Sequence, residues 1–347
     1  MLSLTMATAV VVSFAFVVGP DDGGPVLLAW SLLCAVSILR RVRGLEGEIR
    51  TVFRLIGLGG LLIPVGIIVR EAHGVAVGVD QPIPSPADIL HVPAYVLAVW
   101  ATYRVFRLRT IDRDAGAWID TVSIAIVALA AIWMAYLGDL ISGDSLGPAA
   151  KVMHISYTVL IATAMALFLR IASTPGTRPT SYYLVGGAGT CFFAADLLLS
   201  AAQVHPVPLE VPFFFTPISF SLIVAAVIHP SRERLIEPAQ RVDRSVGLFR
   251  VATTATTIMA PAAMLFVQDG MDSTDRTVLT LAIVSLSALV VLRTLGLLNE
   301  QQRLNQGEKL LAAEITGAAQ AKSTTEVAKR VLPGICLLYT SPSPRDA

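Results

Sequence analysis

The chain has 347 residues, 54% of them hydrophobic and 15% charged, with a formal net charge of +1 and a mean hydropathy of +0.70. That is far more apolar than a soluble domain of this length, so the sequence predicts an integral membrane protein with the lipid bilayer as its first partner. The 26 basic residues are spread through short loops and form no patch, which argues against nucleic acid, and Cys34, Cys191 and Cys336 lie too far apart for a disulfide framework or a compact zinc site.

Ten apolar segments follow in chain order, at about 4–19, 25–40, 52–69, 87–106, 117–138, 148–170, 180–202, 210–229, 247–267 and 276–298. The first lacks a preceding basic segment and a small-residue cleavage site, so it reads as a span and not as a signal peptide. Turn-rich breaks separate them: PDDGGP at 20–25, QPIPSP at 81–86, STPGTRP at 173–179, HPVP at 205–208 and QDGMD at 268–272. A hydrocarbon core of ~30 Å takes about 20 helical residues. Lipid leaves no water to satisfy the backbone, so segments of this length must be helices. The expected fold is an all-α polytopic transmembrane bundle of about ten spans with a C-terminal cytoplasmic helix.

Lys and Arg in alternate loops set the expected orientation. One set of loops carries sixteen arginines, from Arg40 to Arg54, Arg104 to Arg113, Arg170 to Arg178 and Arg232 to Arg250; the other carries three basic residues, Arg70, Lys151 and Arg276. The prediction is that both termini are cytoplasmic, which requires an even number of spans. The outer loops are all short, the longest being about Glu71–Pro86, so a stimulus would have to reach the bundle itself.

Ionisable residues within spans are costly and therefore informative. Asp88, His91, Lys151, His154 and Asp196 all fall near the outer helix ends, with His205 and Glu210 in the adjoining turn. Asp88 and His91 are three apart, as are Lys151 and His154, so each pair shares a helix face. Together they form a candidate outer polar cluster, with the two aspartates as acceptors and Lys151 as counter-charge. The alternative is interfacial residues or ion pairs at helix ends. Asp120, close after the basic loop Arg104–Arg113, reads as a structural anchor. Gly186, Gly187 and Gly189 read as small residues for close helix packing and not as a phosphate loop. No metal-ligand spacing, nucleophile elbow, Walker loop or phospho-accepting histidine box occurs, so no catalytic residue, metal or cofactor is assigned, and the ligand is left unknown.

The last apolar segment passes without a proline into a polar helix. Leu297, Leu304, Leu311 and Ala318 recur every seven residues, half of a coiled-coil seam, which makes them a candidate signal-transmission face and a possible homodimer contact. The expected organisation is a transmembrane region at 1–298, a connector helix at 299–322 and the start of a further cytoplasmic domain at 323–335, opened by the capping pattern STTE. Residues 336–347 differ in character. Cys336–Asp346, CLLYTSPSPRD, resembles a translated sequencing adapter, and the expectation is that the natural chain continues beyond about Ile335.

Four stretches resemble the multi-span N-terminal regions of actinobacterial cyclic di-GMP signalling proteins that carry GGDEF and EAL domains, often with a GAF domain between. They are PSPADILHVPAYVLAVW (84–100), AADLLLS (194–200), AAVIHPSRERLIEP (225–238) and LRTLGLLNEQQRLNQGEKLLAAEITGAAQAKSTTEVAKRV (292–331). The resemblance implies a sensory or anchoring region in a bacterial cytoplasmic membrane, with nucleotide chemistry carried downstream of these residues. A small-solute transporter and the membrane part of a sensor histidine kinase are the rival readings.

Overall fold

The computed structural model describes residues 20–79, 82–109, 115–143, 146–173, 178–202, 210–237 and 273–319, together with residues 7, 8, 11, 205, 208, 259 and 263. Every regular element among them is helical. In chain order these are α1 (Pro20–Val42), α2 (Gly47–Val77), α3 (Asp88–Arg109), α4 (Ala115–Ile132), a π turn (Trp133–Leu137), α5 (Gly138–Ser142), α6 (Pro148–Ser173), α7 (Thr180–Ala201), α8 (Glu210–Ile228), a 3-10 segment (Pro230–Ile236) and α9 (Ser273–Ala319). The chain divides into two compact units, Met1–Ser287 and Ala288–Ala347.

Seven of the described helices are long and apolar enough to cross a membrane, or eight if α8 and the 3-10 segment, bent by 95°, are one span. The protein is therefore a multi-pass membrane protein. The expected spans at 4–19 and 247–267 lie outside the described residues, apart from Ala7, Thr8, Val11, Met259 and Ala263. Residues 320–347, with the expected domain start and the adapter-like stretch, also lie outside them.

The second membrane helix is longer than the apolar run predicts. The expected span at 52–69 stops at the first charge, yet α2 continues through Arg70 and Glu71 to Val77. Arg and Glu are good helix formers, and nothing breaks the helix before Gly78. That glycine takes φ 69°, the left-handed C-cap, and its N–H reaches the Gly74 carbonyl. The connection between α2 and α3 is correspondingly shorter than the expected loop Glu71–Pro86.

Within the first unit, α1 packs on α2, α2 on α3, α3 on α6, α6 on α7, α7 on α8 and α8 back on α1. These contacts close a ring of six helices, and α4 packs on α6. Phe53, Val105, Leu167, Val224 and Leu235 form the main core toward one end of the ring. At that end Arg109 is buried, lies 5.0 Å over the Tyr182 ring and donates to the Leu235 carbonyl at 3.0 Å. This ties α3 to the segment that turns away after His229, where Pro230 prevents α8 from continuing. Glu48 pairs with Arg104 at 3.0 Å and Asp120 with Arg170 at 3.5 Å at the same end. Asp120 thus anchors α4 to α6.

Small residues set the helix separations. A Cβ on Gly57 would lie 2.8 Å from a Leu39 methyl and 2.9 Å from an Ile38 methyl, and one on Gly186 would lie 3.2 Å from the Phe168 ring. Contact at this range is what lipid-embedded helices use in place of a hydrophobic driving force. Gly57→Leu is expected to destabilise the bundle by ~1–3 kcal/mol through overpacking against α1. Chemical unfolding in detergent would read this as a lower midpoint, and an unchanged midpoint would mean that α1 and α2 are not in this contact.

Candidate functional site

The polar groups expected near the helix ends gather at the end of the ring opposite the main core. The sequence Ser85-Pro86-Ala87-Asp88 opens α3 with proline in its first turn, where a missing N–H costs nothing. Asp88 Oδ2 reaches back to accept the Ser85 N–H at 2.7 Å, one half of a capping box. Its Oδ1 accepts from Arg70 Nη2 of α2 at 2.7 Å and from the Tyr157 hydroxyl of α6 at 2.6 Å. Asp88 is only 5% exposed, and the Arg70 side chain 15%. One carboxylate therefore joins three helices in a site nearly closed to solvent.

His91 lies one turn further along α3. Arg70 Nη2 is 3.1 Å from its Nδ1, and an arginine can only donate, so Nδ1 is the acceptor. The ring hydrogen is then on Nε2, which donates to the Ile63 carbonyl at 3.1 Å. That reach requires a missing side chain on α2: a Cβ on Gly66 would stand 2.3 Å from His91 Nε2. Gly66 is the slot that lets the imidazole lie against the α2 backbone.

Asp196 on α7 is half-buried, and its Oδ1 accepts from the Tyr95 hydroxyl. The Tyr95 and Tyr157 rings pack with centroids 5.4 Å apart, and Phe192 packs on Tyr95 at 5.9 Å. The two aspartates are thus linked through a pair of tyrosines in tilted ring contact, each of which donates to one of them. His154 is 7% exposed, stands within electrostatic reach of Arg70 and Asp88, and its Nε2 has no hydrogen-bond partner among the described residues. Arg70 Nε and Ser85 Oγ are likewise buried without a partner there.

Of the five residues singled out in the sequence, Asp88 and His91 meet directly around Arg70, His154 lies beside them, and Asp196 joins through Tyr95 and Tyr157. Lys151 is half-buried and pairs with neither carboxylate; Arg70 is the counter-charge instead. Tyr157 is the α6 residue that faces Asp88, and Lys151 is six residues away, ~9 Å along the axis and on another face. Arg70 escaped the sequence reading because it was counted with the loop. The signal was present, since no helix breaker stands between the apolar run and Gly78. No cluster of His, Cys, Asp and Glu suited to a metal occurs among the described residues.

A second junction has no counterpart in the sequence reading. The π turn at Trp133–Leu137 sits where α4, α6, α7 and α9 approach one another. Trp133 Nε1 donates to Asp275 Oδ1 of α9 at 2.9 Å, and Leu279 and Ala282 of α9 pack with Ala130. Tyr136 points to Thr158 of α6, with 3.4 Å between the oxygens, and lies within electrostatic reach of Asp196. His205 Nε2 lies 2.8 Å from the Ala135 carbonyl. Single π turns inside α-helices are rare and concentrate at functional positions. Leu297, Leu304, Leu311 and Ala318 all belong to α9, and their side chains lie outside the described atoms.

Comparisons with protein-family models, curated proteins and solved structures gave no match to this chain.

The network yields a stability test. Arg70→Met leaves the Asp88 carboxylate buried and uncompensated, a change expected to cost ~3–5 kcal/mol. Arg70→Met/Asp88→Asn removes the charge with its partner and is expected to recover most of that loss. Unfolding of both variants in the same detergent measures the difference. Equal destabilisation in the two would show that the charge pair is not what holds this end together.

Proposed function

We propose that the chain is the membrane-embedded sensory region of a bacterial signal-transduction protein, with both termini in the cytoplasm, and that α9 carries its output. The observation that carries this reading is the π turn. One of its residues, Trp133, holds the start of α9 through Asp275, and another, Tyr136, meets Thr158 of α6 and lies within electrostatic reach of Asp196. A rearrangement of that network has a direct mechanical neighbour in the exit helix, and a switch requires two packings of one element that a stimulus can bias.

The second support is α9 itself. It is one helix from Ser273 to Ala319, apolar to about Gly296 and polar thereafter. Its seven-residue repeat suits a dimer contact that transmits a shift or rotation to cytoplasmic domains. The resemblance to cyclic di-GMP signalling proteins makes nucleotide turnover the expected output chemistry, performed by domains other than the ones described. A transporter with inverted repeats should carry matched helix interruptions in its two halves. The described residues contain a π turn in the fourth helix and a sharp bend after the eighth, two unlike breaks at unmatched positions.

The test is cysteine scanning along α9 in native membranes, in a background with Cys34→Ala, Cys191→Ala and Cys336→Ser. Single cysteines at Leu297, Leu304, Leu311 and Ala318 are expected to give strong intermolecular disulfides, and those at Gln302 and Lys309, on the opposite face of the helix, weak ones. A flat profile, or a monomer at every position, would remove the dimeric signalling helix on which the proposal depends.

A further inference from the structure

The centre of the six-helix ring is not filled. A cavity of about 140 Å³ lies between α2, α3, α6, α7 and α8, beneath the polar network. Its walls combine small residues with aromatic rings: Gly59, Gly60 and Gly189 leave the space, and Phe168, Phe192 and Phe220 border it. Three side chains on the wall carry hydroxyls, and each already has a partner. Tyr95 donates to Asp196, Thr102 to the Ala98 carbonyl at 2.9 Å, and Ser219 to the Ala188 carbonyl at 2.8 Å. The three protons are committed, so the wall offers water only scattered hydroxyl lone pairs in an otherwise apolar lining, short of the two to four polar partners that hold a water in such a place.

We infer that this cavity is a binding site for a small, uncharged apolar molecule of about the size of a substituted benzene ring. Size and polarity both point to that class: an enclosed apolar cavity of roughly 150 Å³ stays dry and takes up benzene, and this one matches it in size and lining while being half-open, which gives a guest a way in. Aromatic walls favour an aromatic guest, through edge-to-face and offset contacts with the three phenylalanines. A guest carrying a charge would lose its hydration and find no counter-charge on the wall.

The position of the site gives the guest a consequence. Tyr95 and Ile63 line the cavity, and both also belong to the polar network, Tyr95 through Asp196 and Ile63 through its carbonyl to His91. A molecule pressing on the Tyr95 ring acts on the contact between the two tyrosine rings, and so on the bonds to both aspartates. That this makes the guest a stimulus rests on the sensory reading above; that the guest binds does not.

Binding is measured directly on the whole chain in lipid nanodiscs, by fluorine NMR with fluorobenzene as the probe and protein-free nanodiscs as the reference. The expected result is a saturable bound signal above simple partitioning into lipid. Ala98→Phe, which places a ring in the cavity, is expected to weaken binding by more than roughly tenfold. Ala98→Leu serves as a milder filling, with a smaller loss. Val159→Phe on an exposed face of α6 adds the same ring outside the cavity and is expected to leave binding unchanged. A signal that never saturates, equals that of empty nanodiscs, or is indifferent to Ala98→Phe in a protein that retains its thermal unfolding transition would overturn the site. Any of these results would leave the cysteine profile along α9 untouched.

Discussion

A carboxylate and a guanidinium withdrawn from water at the end of a membrane bundle cost several kcal/mol each, which close pairing and further hydrogen bonds must offset. Around Asp88 that condition organises three helices. Its oxygens take the Ser85 N–H that starts α3, the guanidinium carried by the extension of α2, and the hydroxyl that α6 presents. Arg70 in turn fixes the tautomer of His91, and His91 needs the slot at Gly66 to reach the α2 backbone. The geometry of this end follows from one buried charge pair and the groups required to satisfy it.

The arrangement also explains why the network and the central cavity belong together. Tyr95 is the shared piece, with its ring on the cavity wall and its hydroxyl on Asp196. Below it the ring of helices is spaced by glycines and bordered by phenylalanines, which leaves room where a fully packed interior would have none. Above it every bond from Tyr95 or Tyr157 ends on a carboxylate. An apolar pocket that shares Tyr95 with a network of buried polar groups is a suitable place for a small guest to tip a balance. The π turn, with Tyr136 within electrostatic reach of Asp196 and Trp133 bonded to Asp275, lies between that network and the start of the last helix, which is the route the proposed function requires.

Much of this architecture was legible in the sequence because lipid imposes a severe code. Apolar runs of the required length located most of the described helices to within a few residues, since a span must be helical and must end near water, although PDDGGP at 20–25, expected as a break, lies inside α1. The exceptions are physical ones. The end of α2 was misplaced because a charge was taken as a boundary, although helix propensity carried the chain on to Gly78. Asp88, His91, His154 and Asp196 stood out because ionisable side chains are rare in such runs, but their partners did not. Arg70 lay in an assumed loop, and Tyr95 and Tyr157 are ordinary residues in membrane helices until their hydroxyls are seen to meet carboxylates. The π turn left no trace at all, because an extra residue in a helical turn changes no composition and only the Trp133–Asp275 contact, 142 residues apart, shows its use.

The central claim is that a change inside the bundle is delivered along α9. The most direct measurement joins residues 1–319 to a diguanylate cyclase reporter and inserts between one and seven residues within 299–318. If α9 transmits rotation or register, cyclase output should rise and fall with insertion length and return when seven residues, close to two helical turns, are added. Output that ignores insertion length, in fusions inserted normally in the membrane, would contradict the account.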